Sequence, residues 1–515
     1  MKNLKSLFIV ACCSLLFSQA SFAQDVWLND SKKLFENNAA IIYEINLRTF
    51  NAQDTNKNGI IDFDEGEESG TFLNAIGKLE ELRLKGVNMI HVMPITPVGK
   101  TKALGTAGSL YAASSLNSLN PQLKSEKSAM SIDDQARKFI NEAHKRGIRV
   151  MIDLPSCGSY DWYLQRPELF MKDKAGQPIV PVDWTDVRLF DAGTELSINR
   201  DVYNVYKEFV DMVIGLGADG IRADVATLKP ANFWKELISY SRKKDPQFLW
   251  LAEASESWTE PVAQGAIFTP YNKLLEAGFD GYYGSFFELK NWKNSKELYD
   301  RIYAVKDLQT KYSSPKSVIA SFTTHDELSP ILINGSAYSE MIIWLNATLP
   351  INSYFVDGFD TGDNYIYNWA NKKALKTFTD DDYYFVHRGK IDIFNFSRAL
   401  QGKDRNLLDN FIMANGFKKR FYPNITRGNF VPLKTNSQSI FAYALSYDGK
   451  SVLVIGNLNF RDYVNAEVKV PKLKESNMVI PVKIRSIPII GKGKITEKIL
   501  PGEIQVLIVN DMEIK

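Results

Sequence analysis

From residue 41 onward, short apolar runs alternate with stretches whose apolar residues recur every three or four positions. The run at 41–50 (IIYEINLRTF) predicts a strand. Within 71–85, Phe72, Ile76, Leu79 and Leu82 share one face at helical spacing, so a helix is expected there. The same reading predicts a strand at 89–93, a helix at 132–146 and a strand at 149–154. Val202, Tyr206, Phe209 and Val213 mark a further helix, ending at Gly215-Leu216-Gly217. Strand-like runs follow at 220–224, 248–252, 279–286, 317–322 and 352–356, with helical stretches between them. Eight strands separated by helices predict an α/β fold, a closed (β/α)8 TIM barrel. An open doubly wound sheet is the rival, but no G-x-G-x-x-G follows the first strand.

Two departures from this rhythm divide the chain. The connection at 155–200 is rich in Asp, Pro and Gly, and a barrel loop of that length is usually functional or a small subdomain. After about residue 424 the texture turns to β: runs at 440–445 and 451–455 flank Asp448-Gly449, a hairpin signal. Further β-rich runs at 478–484, 486–490 and 504–509 predict a separate all-β domain, a β-sandwich, over 425–515.

The first residues read differently. Lys2 and Lys5 precede an apolar stretch from Leu7 to Phe17, too short to span a bilayer, and Ser21-Phe22-Ala23 offers a cleavage site. A signal peptide over 1–23 is expected, with a barrel domain over 24–424 and export to the periplasm or beyond. A lipid anchor at Cys12 or Cys13 fits less well, because apolar sequence continues past both. Cleavage would leave Cys157 alone, without a partner for an internal disulfide. No later apolar run reaches the ~18–20 residues of a transmembrane helix, so a soluble mature chain is expected.

Composition changes little. Hydrophobic residues at 45% and charged residues at 24% are those of a globular protein. Lys plus Arg exceed Asp plus Glu by 62 − 60 = 2, which leaves no electrostatic case for a nucleic-acid partner or an anionic membrane. Aromatics at 12% suit a sugar binder, whose rings pack on CH faces, but they suit a large core equally well.

The chemistry lies at the predicted strand ends, where the loops of a barrel form one concave mouth. Strand four ends at Asp224, strand five at Glu253, and strand seven leads to Thr324-His325-Asp326. In an alternating strand Arg222 and Asp224 point the same way, so the guanidinium is expected to hold that carboxylate ionised, as a nucleophile requires. A Glu in a less polar spot keeps a raised pKa and can protonate a leaving oxygen. Two carboxyls about 5–5.5 Å apart give retention through a covalent sugar ester, and a wider gap gives inversion.

These segments resemble the α-amylase family of glycoside hydrolases (glycoside hydrolase family 13) over nearly all of the mature chain. GADGIRADVA (217–226) is similar to the region carrying the family's Arg and nucleophile. WLAEAS (250–255) is similar to that of the acid/base, and FTTHDE (322–327) to the His-Asp region. The stretches 41–50, 86–99 and 143–154 resemble its first three strands. The resemblance implies catalytic Asp224, Glu253 and Asp326, with Arg222, His325, Asp153 and Tyr111 at the sugar, and Tyr111 as the stacking ring. It also implies a domain B at 155–200, a domain C in the β tail, and an α-glucan or malto-oligosaccharide substrate. A transglycosylase or isomerase would use the same residues. A non-catalytic glucan binder is the rival from another class.

One departure stands out. Where the family has Asn-His after strand three, this chain has Cys157-Gly158. The resemblance ties that His to a sugar hydrogen bond and that Asn to a calcium between barrel and domain B. Cys157 also raises a thiol nucleophile, with His325 the one histidine at the mouth, although a plain buried Cys is the simpler reading.

A second motif follows strand one. Residues 54–65 place Asp54, Asn56, Asn58, Ile60 (through its carbonyl), Asp62 and Glu65 at positions one, three, five, seven, nine and twelve of a calcium loop, with Gly59 at six. Its flanks are a strand and a barrel helix, and a similar loop occurs in oligo-1,6-glucosidase-like members of the family. A structural Ca2+ is therefore expected there.

Overall fold

The computed structural model describes residues 27–181, 184–363, 366–368, 386–388, 391–396, 402–485 and 488–514. The expected signal peptide, 1–23, lies outside the described residues. The barrel strands are β1 (Ile41–Ile45), β2 (Met89–Val92), β3 (Arg149–Leu154), β6 (Gly220–Ala223), β7 (Leu249–Ala252), β8 (Gly281–Tyr282), β9 (Ser317–Val318) and β10 (Ser353–Val356). They pair in parallel in the order β10-β1-β2-β3-β6-β7-β8-β9. A parallel bridge between Ile319 and Asn352 joins the two ends, so the barrel is closed.

Alternation along the strands sends side chains into two cores. Ile41, Tyr43, Ile45, Ile90, Val150, Ile221 and Trp250 face the surrounding helices, while Ile42, Met89, Met151, Leu249, Leu251 and Tyr354 fill the barrel interior. Each such side chain, removed from water, contributes about 1.5–3 kcal/mol before entropy is counted. The helix expected at 71–85 runs over Phe72–Leu84, and Thr71 and Asn74 close a reciprocal capping box at its start. Arg200–Leu216 starts from an Asn199 cap and stops at Gly217, whose φ of 95° takes the left-handed turn.

Strands six and seven of the barrel are shorter than the runs at 279–286 and 317–322. A Cβ on Gly281 would stand 2.3 Å from the Ser317 carbonyl oxygen, so the backbones meet closely there. Gly284 then turns the chain at φ +69°. Beyond β9, Ser321 and Phe322 donate to the carbonyls two residues back, at 2.9 and 2.7 Å. These tight turns carry the chain to Thr324, His325 and Asp326.

Between β3 and β6 the chain forms an antiparallel pair, β4 (Cys157–Ser159) and β5 (Val187–Leu189), with the short helix Tyr160–Gln165. After the barrel come the small pair β11 (Ile366–Asn368) and β12 (Val386–Arg388), then an all-β domain. Its strands are β13 (Asn429–Pro432), β14 (Ile440–Tyr447), β15 (Lys450–Asn457), β16 (Val464–Lys469), β17 (Val479–Lys483), β18 (Ile489–Gly491), β19 (Lys494–Ile499) and β20 (Ile504–Asn510). A five-stranded and a three-stranded sheet share one core, with Ile440, Leu453, Val468, Ile495 and Leu507 in it. Asp448 and Gly449, both at positive φ, make the β14–β15 hairpin. Among the described residues no helix is long and apolar enough to cross a membrane.

Candidate active site

Backbone ladders at the strand ends set the two central carboxyls side by side. Asp224 follows β6 and donates its N–H to the Leu154 carbonyl at 3.1 Å, while Glu253 follows β7 and donates to the Ala223 carbonyl at 3.0 Å. Arg222, fully buried, points into the same space. Its Nη1 donates to Asp153 Oδ1 and Oδ2 at 2.8 and 3.0 Å and to Asp224 Oδ1 at 3.0 Å. Its Nη2 pairs with Glu253 Oε1 at 2.9 Å, and its Nε donates to the Tyr283 hydroxyl at 3.0 Å. One guanidinium thus serves three carboxyls.

That crowding separates their proton affinities. Burial pushes the Asp153 carboxyl up, but Arg222 and His91 outweigh it and hold the group below its usual range. Burial pushes Glu253 up to about 8; Arg222 opposes this, while Asp224 and Asp326 add to it. Asp224 is also raised by burial, against the pull of Arg222, the Ser156 N–H and Lys229. Arg222 alone therefore does not secure the ionised Asp224 expected of it, because its charge is divided among three partners. Glu253, raised that far, holds a proton near neutrality.

The opposite wall is built from β1, β2 and the loops. Tyr111 donates its hydroxyl to Asp153 Oδ2 at 2.8 Å, and its ring stacks on that of His325 at 5.6 Å and 11°. Asp326 is half exposed, with its carboxylate 3.4 Å from His325 Nε2, on the open side of the cluster. All seven site residues expected from the motifs meet here: Tyr111, Asp153, Arg222, Asp224, Glu253, His325 and Asp326. Sequence reasoning missed Glu44. Its Oε1 lies 2.7 Å from His325 Nδ1, and Asp326 and Glu44 together outweigh burial to push His325 up to about 10. His91 stands between Glu44, Asp153 and the Tyr354 hydroxyl. The signal for Glu44 was a lone acid at an inward position in an otherwise apolar strand.

No family model matches the chain. Among solved structures, a maltogenic α-amylase of Thermotoga neapolitana is 19% identical, with a TM-score of 0.65 over 92% of this chain and 99% of its own. An α-amylase of Lactobacillus plantarum is 18% identical, with a TM-score of 0.68 over 92% and 99%. The fold is that of the α-amylases. Among characterised sequences, an α-1,4-glucan:maltose-1-phosphate maltosyltransferase of Arcanobacterium haemolyticum is 25% identical over 348 residues, 64% of this chain and 46% of the relative. One from Corynebacterium glutamicum is 24% identical over 431 residues, 78% and 57%. The chain spans about half the length of these relatives. The resemblance to the α-amylase family seen in the strand-end motifs holds.

Against that amylase frame the Cys157-Gly158 departure has a structural basis. Gly158 lies on β4, and a Cβ there would meet the Phe170 ring at 2.7 Å and the Phe190 ring at 3.0 Å. Any side chain at 158 would therefore require these two rings to move. Cys157 packs with Ala112, Val187, Leu189, Val225 and Leu228. Burial and Asp224 push its thiol far above the usual range. His325 is bound to Glu44, so the thiol-nucleophile reading is not supported.

The loop at 54–65 is wound by its own side chains. Asp54 Oδ1 and Oδ2 accept from the N–H groups of Asn58 and Gly59 at 3.1 and 3.0 Å; Asn58 Oδ1 accepts from Ile60 at 2.8 Å. Asn56 donates to Glu65 Oε2 at 2.9 Å, which folds Glu65 back onto the loop, and Gly59 takes φ +83°. Asp62 Oδ1 accepts from the Asp64 N–H at 3.0 Å. Among the described residues no three His, Cys, Asp or Glu side chains gather as a metal group. A cation here would therefore draw on the amide and carbonyl oxygens of Asn56, Asn58 and Ile60 as well as on carboxylates. Hard oxygens of that kind fit calcium. Glu67, outside the motif, ties the loop's ends by accepting from Thr55, Asn56 and Asp62.

Proposed function

We propose that this protein is a retaining glycosidase of α-glucans or malto-oligosaccharides, with Asp224 as nucleophile and Glu253 as acid/base. The observation that carries the reading is the single guanidinium of Arg222 touching Asp224 at 3.0 Å and Glu253 at 2.9 Å. Carboxyls gathered on one small cation suit direct attack and leave little room for an intervening water. In the first step Asp224 attacks the anomeric carbon as the glycosidic C–O bond breaks, and Glu253 passes its proton to the leaving oxygen. In the second, Glu253 takes a proton from the incoming hydroxyl, whose oxygen displaces Asp224 from the anomeric carbon. Asp326 and His325 face the sugar hydroxyls, and Tyr111 offers its ring.

The incoming hydroxyl belongs to water in a hydrolase and to a sugar in a transferase. Hydrolysis is the first reading, because the structures it resembles are α-amylases. Transfer is the second, favoured by the maltosyltransferases among the related sequences. A structural calcium at 54–65, held by Asp54, Asn56, Asn58, Ile60, Asp62 and Glu65, and export through 1–23 complete the proposal. Product analysis with maltoheptaose, pullulan and isomaltose, on wild type and Glu253→Gln in parallel, tests it. Shorter sugars alone indicate hydrolysis and longer ones transfer, and the variant loses about 10²–10⁴-fold in rate. Binding without turnover by wild type would overturn the reading in favour of a glucan-binding protein.

A further inference from the structure

Lys229 lies five residues past the nucleophile, between the turn Ala226–Leu228 and the helix Ala231–Lys244, and is 1% exposed. Its backbone is pinned, since Thr269 Oγ1 donates to the Lys229 carbonyl at 2.7 Å. Its ammonium turns inward, donates to the Ser156 carbonyl at 3.1 Å, and faces the rings of Tyr206 at 4.7 Å and Trp234 at 5.8 Å. A buried charge with a carbonyl and two ring faces for partners is costly, and a fold retains one where the charge acts on something nearby.

The nearby group is Asp224. Ser156, whose carbonyl Lys229 grips, donates its N–H to Asp224 Oδ2 at 3.0 Å and its hydroxyl to the Asp224 carbonyl. Arg222 holds the other oxygen, Oδ1. The carboxylate is thus clamped from two sides, by Arg222 directly and by Lys229 through the backbone of Ser156, whose carbonyl it holds and whose N–H meets Asp224. With three carboxyls on one guanidinium, a further cation behind Asp224 also corrects the local charge.

We propose that Lys229 is a positioning residue for Asp224: its ammonium anchors Ser156, whose N–H and hydroxyl bind the nucleophile, and favours the nucleophile's ionised form. The inference rests on Asp224 being the nucleophile. The interaction is mutual: burial brings Lys229 down to about 8, and Cys157 and Asp224 oppose that fall.

A double-mutant cycle in urea at neutral pH tests this without any turnover. Lys229→Met, Asp224→Asn and the double variant are unfolded beside wild type. Lys229→Met is expected to lower the folding equilibrium constant about tenfold more in the wild-type background than in the Asp224→Asn background, the equivalent of about one pKa unit on the nucleophile. Equal losses in the two backgrounds overturn the proposal.

Should Lys229→Met not fold, the coupling is read as the stability difference between Glu253→Gln and Glu253→Gln/Asp224→Asn as pH rises. The other titratable groups facing Lys229, Cys157 and Tyr206, are pushed above their usual ranges. The attraction exists only while Lys229 is charged, so the difference narrows as pH passes about 8. A constant difference contradicts the proposal. Where wild type turns over, Lys229→Met lowers kcat with KM little changed and Lys229→Arg restores most of it. A raised KM at unchanged kcat speaks against it. An inert wild type strikes the functional reading alone, since the stability cycle still decides the role of Lys229.

Discussion

Glu253 sits between opposing influences. Its Oε2 accepts the Val225 N–H at 2.7 Å and its Oε1 meets Arg222, contacts that favour the carboxylate, while burial favours the acid and prevails. Since the acid form protonates the leaving oxygen, kcat/KM is expected to fall as pH rises through about 8. A pH–rate profile checks it, and Glu253→Gln should abolish that limb together with most of the rate. Glu44 makes a second residue-scale prediction. Glu44→Gln removes a charge 2.7 Å from His325 Nδ1, so the imidazolium, now at about 10, should titrate closer to neutrality. The expected result is a loss of about tenfold or more in kcat/KM, growing as pH rises through neutrality, with the histidine shift read by NMR. An unchanged profile would remove Glu44 from the site.

The acids at strand ends were legible because a barrel strand leaves few options for an inward carboxylate at its C-terminal end. Glu44 offered only its inward place in an apolar strand, and Ser156 and Lys229 offered no signal. Each acquires its role from partners on other elements, at 281, 68 and 73 residues' separation for the contacts to His325, Asp224 and Ser156. Side-chain period alone carries no such information.

At the scale of elements, most strands and helices fall where periodicity put them, because each buries a regular face against one of two cores. The shortened β8 and β9 were overestimated. Close backbone approach at Gly281 and the turns beyond Val318 override apolar runs that look strand-like in isolation. β4 carries the clearest element-scale prediction. It is packed so tightly against Phe170 and Phe190 that Gly158→His, which would restore the family's residue, should cost about 1–3 kcal/mol. A lowered Tm with no gain in turnover is the expected result. A Gly158→His protein of full stability would show that the β4 strand yields. The turn after β6 is the other informative element. Val225 adopts φ +32°, unusual for a β-branched residue, and there aims its N–H at Glu253 Oε2. Nothing in the apolar pattern announces that conformation.

For the whole molecule, the loop at 54–65 is tied to a segment more than 300 residues away in sequence. The Ile61 N–H donates to the Phe396 carbonyl at 2.8 Å, and the Phe63 ring meets that of Phe396 edge-on at 5.0 Å. A bound ion that stiffens 54–65 should thus stabilise the native protein by mass action. Calcium is expected to raise Tm, EDTA to lower it, and Asp54→Ala to abolish both responses while the fold persists. A Tm indifferent to calcium and EDTA would return the loop to a solvated turn closed by Glu67.

The proposed reaction is covalent: Asp224 would form a bond to the sugar, with Glu253 assisting. Its most direct test is to incubate Glu253→Gln with α-maltosyl fluoride, whose leaving group needs no acid, and to map the labelled peptide by mass spectrometry. A maltosyl ester on Asp224 is expected, absent from Glu253→Gln/Asp224→Asn. A label on another residue, or fluoride release with inverted product and no label, would contradict it.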